Sequence, residues 1–254
     1  MSQQDLQPSP NSTGVERIKR TANNRLGAVF SALHSFWIQR QAAVDRNSLL
    51  GGSRKDAYSL IFFNHEPSTS IENDVTSSPD ELLTAALQFN ANGGKDFSRA
   101  LERAQKVMTS YWSTQRYVLF LLTESDKIHA DMHHRTPVVI LFSDGEDNVK
   151  NKAVYDMCRS AVHQGYVDSH PSRYLLTEKL ITRRPLSFHA VSFGKDSTSS
   201  SLRRMAQIAL EVQYKAPHDP LLPAVAKISS SYTEALDTVN WSNTFIFVTN
   251  SDYF

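Results

Sequence analysis

The sequence predicts an α/β fold in which a parallel sheet is flanked by helices. Three observations predict it. Strand-like and helix-like segments alternate from residue 58 onward, the strand-like runs are short and strongly apolar, and the helix-like ones each carry one apolar stripe. At 254 residues the chain is near the largest size that one hydrophobic core organises, so one domain with appendages is expected.

Taken in order, residues 1–24 are polar, contain Pro8 and Pro10, and read as a tail. Leu26, Val29, Phe30, Leu33, Phe36 and Trp37 then fall on one helical face, which predicts a helix over 25–41. Tyr58–Phe63 is a short apolar run followed by the turn-prone Asn64-His65-Glu66-Pro67, the pattern of a strand covered on both faces. Ser78-Pro79-Asp80-Glu81 supplies an N-cap, a proline at the first helical position and a glutamate at the third, so a helix runs over 79–89. Phe97, Ala100, Leu101, Ala104, Val107 and Met108 repeat the helical spacing. Pro137–Phe142 is the strongest strand, with proline at its first position where no ladder bond is lost. A helix over 153–163, a strand over 186–193 and a helix over 202–212 complete the alternation. The expected domain spans 25–240, with 241–254 as a C-terminal tail.

Hydrophobic residues make up 40% and charged ones 21%, which excludes disordered and fibrous classes. The net charge of +1 offers no global field for nucleic acid or an anionic membrane, so neither is an expected partner. A single cysteine, Cys158, excludes an internal disulfide and a cysteine-based zinc knuckle, and it falls on a buried helical stripe. No apolar h-region opens the chain and no apolar run is long enough to span a bilayer, so the expected location is cytoplasmic or nuclear.

The run Pro137-Val138-Val139-Ile140-Leu141-Phe142-Ser143-Asp144-Gly145-Glu146, the loop Gly93-Gly94-Lys95-Asp96-Phe97 ahead of a helix, and the strand end Ala190-Val191-Ser192-Phe193-Gly194 resemble a von Willebrand factor type A domain over most of residues 25–240. The resemblance implies a Rossmann-like sheet in the order 3-2-1-4-5-6 with one antiparallel edge strand, and metal-dependent adhesion to another protein. It implies a metal site built from a D-x-S-x-S loop after the first strand, a threonine in the Gly-Gly loop and an aspartate after the fourth strand. Only the aspartate has a counterpart, Asp144. Lys95 stands at the threonine position, and no apolar strand precedes the helix at 25–41. A central strand of that kind would bury some four apolar side chains at ~1.5–3 kcal/mol each. That sum rivals the ~5–15 kcal/mol stability of a typical domain, so the chain as written is expected to fold poorly on its own.

Two long connections carry the blocks Tyr117–Arg135 and Tyr166–Arg183. Both begin Tyr-Val after a residue whose codon can end in G and both end at arginine, so both can be written as in-frame introns with donor and acceptor sites. Residues Asn243–Phe254 can be a third such block. They are read either as retained introns, in which case the gene model is faulty and the product non-functional, or as surface loops that form a binding surface.

Asp144 lies just beyond the carboxyl end of a strand, where open α/β sheets place ligands, and a carboxylate is a hard donor suited to Mg²⁺. Three arrangements stay open there: Mg²⁺ on Asp144, a Lys95–Asp144 ion pair in place of the metal, or no interaction. His129, His133 and His134 have zinc spacing without a glutamate base. There is no phosphate-wrapping G-x-x-x-x-G-K-[ST] loop and no G-x-S-x-G elbow, so neither nucleotide hydrolysis nor a serine hydrolase is supported. Ser197–Ser201 reads as an N-cap and loop, and His189 as a core histidine. The leading expectation is a non-enzymatic module that binds another protein through a rim of Gly94, Lys95, Asp96, Phe97, Gly145 and Glu146. The alternative is metal-assisted phosphoester hydrolysis by Asp144, Glu146 and Asp147.

Overall fold

The computed structural model describes residues 8, 14–48, 56–64, 66–90, 94–119, 138–167, 186–193, 198–215 and 229–235. Apart from two helix ends at Leu119 and Val167, the blocks 117–135 and 166–183 lie outside these residues, as do 241–254 and the three histidines at 129, 133 and 134.

The expected N-terminal tail contains a helix, α1 (Val15–Thr21). Its one large apolar side chain, Ile18, is fully buried, and Arg17 bonds Thr84 at 2.6 Å and Asp80 at 3.3 Å. So short a polar helix shows no stripe in the sequence because tertiary contacts hold it. Helix α2 (Arg25–Ser48) extends past the predicted end at 41 and buries Leu26, Val29, Phe30, Leu33, Trp37 and Val44.

Strands β1 (Tyr58–Phe62) and β2 (Ser68–Asp74) pair antiparallel, with a register irregularity beside Leu60. β1 is half-buried with Ser59 exposed, so the expected coverage on both faces is not found. β2 is a polar strand, at an edge among the described residues, in which only Ile71 is buried. In α3 (Pro79–Ala86) the capping box forms as its residues dictate: Ser78 N–H donates to Glu81 at 2.7 Å and Glu81 N–H to Ser78 Oγ at 3.4 Å.

Helix α4 (Phe97–Leu119) precedes β3 (Val138–Ser143), and α5 (Asn151–Val167) precedes β4 (Ser187–Phe193). Helix α6 (Ser200–Lys215) then leads to β5 (Ser231–Ala235). β3, β4 and β5 form one parallel sheet in that order, in register from Val138↔Ser187 and His189↔Ser231. Every residue of β4 is buried, as befits its central position.

Two apolar layers sandwich the strands. One joins α1, α2 and α3 to Leu60 and Phe62 of β1, Ile140 and Phe142 of β3, and Val191 and Phe193 of β4. The other joins α4, α5 and α6 to Val139 and Leu141 of β3 and to Phe188 and Ala190 of β4. The fold is thus α/β and Rossmann-like, with helices on both faces of a parallel sheet. Among the described residues no strand precedes β1, and no ladder joins β1 to β3.

Candidate functional site

The loop after β3, Asp144-Gly145-Glu146-Asp147, leaves the carboxyl end of the parallel sheet and meets the N-termini of three helices. Each of its carboxylates has a different task. Asp144 faces two cations, with Arg25 Nη1 3.3 Å from Oδ2 and Lys95 Nζ 3.1 Å from Oδ1. Glu146 accepts N–H bonds from Ser200 and from Ser201, the latter at 3.1 Å, and so caps α6. Asp147 accepts from Phe97 N–H at 2.8 Å and so caps α4. Ser201 Oγ donates back to the Asp147 carbonyl at 2.6 Å, which ties the loop to α6 a second time.

Burial is the first influence on Asp144, whose side chain is 8% exposed, and taken alone it would raise the carboxyl pKa. Hydrogen bonds and charge from cationic groups, Lys95 among them, outweigh it and hold the carboxyl at about 2. Glu146 is also held below its usual range: partial burial raises it, and the Ser201 and Ser200 donors prevail.

The Lys95–Asp144 ion pair, one of the arrangements left open by the sequence, forms at 3.1 Å, and Arg25 joins it. Arg25 was not foreseen in it. A guanidinium at the first position of a helix sits against the positive end of the dipole, and that misfit was the one local signal that a carboxylate had to be near. Gly145 has a packing reason, because a Cβ there would collide with Lys95 Nζ.

The donor set does not fit Mg²⁺. Both Asp144 oxygens face a cation, Lys95 occupies the position where the resemblance implies a neutral hydroxyl, and among the described residues no three His, Cys, Asp or Glu side chains converge.

The structure separates the predicted rim. Gly94 and Gly145 are half-buried, and Lys95 and Glu146 are exposed at the loop surface. Asp96 is spent locally, accepting Arg99 N–H at 2.9 Å and lying 3.4 Å from its guanidinium. Phe97 is fully buried, edge-on to Phe63 with ring centroids 5.7 Å apart, so it is a core residue and not part of a contact surface. Its place in the apolar stripe of α4 forces it inward.

Cys158 is buried and its thiol is pushed up to about 12 by that burial. His189 is buried in β4, with Nδ1 2.8 Å from Ser231 Oγ, and burial pushes it down to about 4. Ser199 caps α6 through a 3.2 Å bond from Leu202 N–H. No helix among the described residues is long and apolar enough to cross a membrane.

Strand order, flanking helices and the position of the Asp144 loop beyond the carboxyl end of β3 define a Rossmann-like α/β fold. No protein-family model matches the sequence, and no curated protein matches it. Among solved structures, the chain is similar to a von Willebrand factor type A protein from Catenulispora acidiphila, at 11% identity and a TM-score of 0.47 over 94% of this chain and 40% of that one. It is also similar to proximal thread matrix protein 1 from the mussel byssus, at 13% identity and a TM-score of 0.43 over 93% of this chain and 43% of that one. The chain spans less than half the length of either.

Proposed function

We propose that this protein is a non-enzymatic interaction module that binds another protein without a divalent cation, through the surface around Lys95, Gly145 and Glu146. The observation that carries the reading is the engagement of all three loop carboxylates. Asp144 is neutralised from within the chain, and Glu146 and Asp147 hold helix ends, so none is left to bind a metal or activate water. The same engagement weighs against the phosphoester hydrolase alternative, which needs carboxylates converging on a metal. Mg²⁺ is therefore not part of the proposed mechanism. What the loop offers a partner is a fixed backbone rim, with the one-third exposed Lys95 ammonium as its accessible charge.

The test is a partner screen run in parallel with EDTA, with Mg²⁺ and with the Lys95→Glu variant. Partners retained in EDTA and lost with Lys95→Glu are expected. Partners that require the cation, or turnover of generic phosphoesters by the purified protein, would overturn the proposal.

A further inference from the structure

A small cavity lies between the second half of α2, the entry to β1 and the turn from β2 into α3. Its volume is about 20 Å³, it is partly open to solvent, and its polar wall is Trp37, Arg40, Gln41, Asp56, Tyr58 and Ser77. Trp37 stands about 18 Å along α2 from Arg25, more than three helical turns, so the cavity is separate from the Asp144 loop.

Most of the wall's hydrogen-bonding capacity is spent within it. Arg40 holds Asp56 through two bonds, at 2.6 and 2.9 Å, and the Tyr58 hydroxyl donates to the same carboxylate at 3.1 Å. The charges of Arg40 and Asp56 cancel, so an ion entering the cavity would lose its water without gaining a counter-charge. Two groups are left over. Trp37 is 4% exposed, yet its indole N–H donates to none of the described residues, and the nitrogen is not sealed from solvent. A buried indole N–H ordinarily has an acceptor, because stripping it of water without replacement is costly. The Gln41 amide nitrogen donates to Asp45 at 2.7 Å, which leaves the carbonyl oxygen of the same side chain as an unused acceptor on the wall.

We infer that this cavity binds the hydroxyl group of a small neutral ligand. A hydroxyl accepts from an N–H and donates to a carbonyl through a single heavy atom, and the cavity has room for about one such atom. Water has the same bonding pattern. The rings of Trp37 and Tyr58, edge-on with centroids 6.3 Å apart, offer the carbon stem of an alcohol an apolar contact that water cannot use. The hydroxyl can come from a free alcohol or polyol, or from a serine or threonine side chain of another chain.

Proton–nitrogen correlation spectra of the labelled full chain test this, with the Trp37 indole signal identified by its loss in Trp37→Phe. Should that variant fail to fold, the signal is identified by its cross-relaxation with the Tyr58 ring. Ethylene glycol is expected to move the Trp37 indole signal saturably, and Gln41→Leu to weaken that binding at least ~10-fold. Acetate is expected to leave the signal in place. A shift that never saturates, saturation by acetate at the same concentrations, or a signal blind to ethylene glycol because the cavity holds water only, would each overturn the proposal. N-acetylserinamide, compared with N-acetylalaninamide, separates the sources. Saturation by the serine compound alone assigns the hydroxyl to a polypeptide, and saturation by ethylene glycol with neither amide bound assigns it to a free alcohol.

Discussion

The Arg25 guanidinium and the Asp144 carboxylate meet at 3.3 Å across 119 residues of chain, each side chain only 8% exposed. One member opens α2 and the other ends β3, so the pair fastens the first long helix to the carboxyl edge of the parallel sheet. Lys95 closes the other side of the carboxylate from the loop before α4.

Removing one partner of a buried pair leaves a charge uncompensated. Arg25→Ala is expected to lower stability in urea by about 3 kcal/mol, at the low end of such losses because Lys95 still faces Asp144. Replacing both partners at once, as Arg25→Met with Asp144→Leu, is expected to cost less than Arg25→Ala alone. A double variant less stable than the single one would show that the pair contributes net attraction.

Acid is expected to destabilise the fold in two stages. His189 is fully buried and its folded pKa is depressed to about 4, so the unfolded chain binds more protons below about 6.5. The stability it withholds from the protonated state is intact above pH ~6.5 and falls by roughly 3 kcal/mol as pH drops towards 4. Asp144 is depressed to about 2, so its contribution of about 2 kcal/mol is present above pH ~4 and is lost as pH falls through 2. Urea unfolding of the wild type and of His189→Gln between pH 4 and 7 checks the first stage. A slope unchanged by the substitution would assign it to another group.

Two glycines separate soft from hard contacts. A Cβ at Gly145 meets the mobile end of Lys95, so Gly145→Ala is expected to cost about 1 kcal/mol by displacing that ammonium. A Cβ at Gly27 meets the backbone oxygen of Ala22, with the Pro8 ring 3.1 Å away. Gly→Ala within a helix would normally gain up to ~1 kcal/mol, but Gly27→Ala, in the first turn of α2, is expected to lose about 2 kcal/mol or more. Thermal melts of the two variants give the ranking.

The Cys158 thiol is buried and held up at about 12, so almost none of it is thiolate at neutral pH. A chromogenic disulfide reagent is expected to leave the native protein unmodified and to label one thiol per chain in urea. Rapid labelling without denaturant would contradict the placement of α5.

The helices were legible where local chemistry decides them. Ser78 and Glu81 announced α3, and the stripe from Leu26 to Trp37 announced α2, because caps and 3.6-residue spacing act within a few residues. Strands β3 and β4 were legible from apolar runs. What escaped has polar surfaces: among the described residues β2 and β5 lie at sheet edges, and α1 buries a single large side chain, Ile18. In the site, Asp144 and Lys95 were singled out by the loops that hold them. Arg25 was not, because a contact across 119 residues leaves no local periodicity, and Phe97 was placed on the rim although its stripe already pointed it inward.

Arg25 and Lys95 hold the Asp144 carboxylate from both sides, which is expected to leave it unable to take a divalent ion. Calorimetric titration of Mg²⁺ and Mn²⁺ into the wild-type protein and into Lys95→Thr tests it most directly. No saturable heat is expected from the wild type, with any binding confined to the variant. Tight stoichiometric binding by the wild type, at a site abolished by Asp144→Asn, would contradict it.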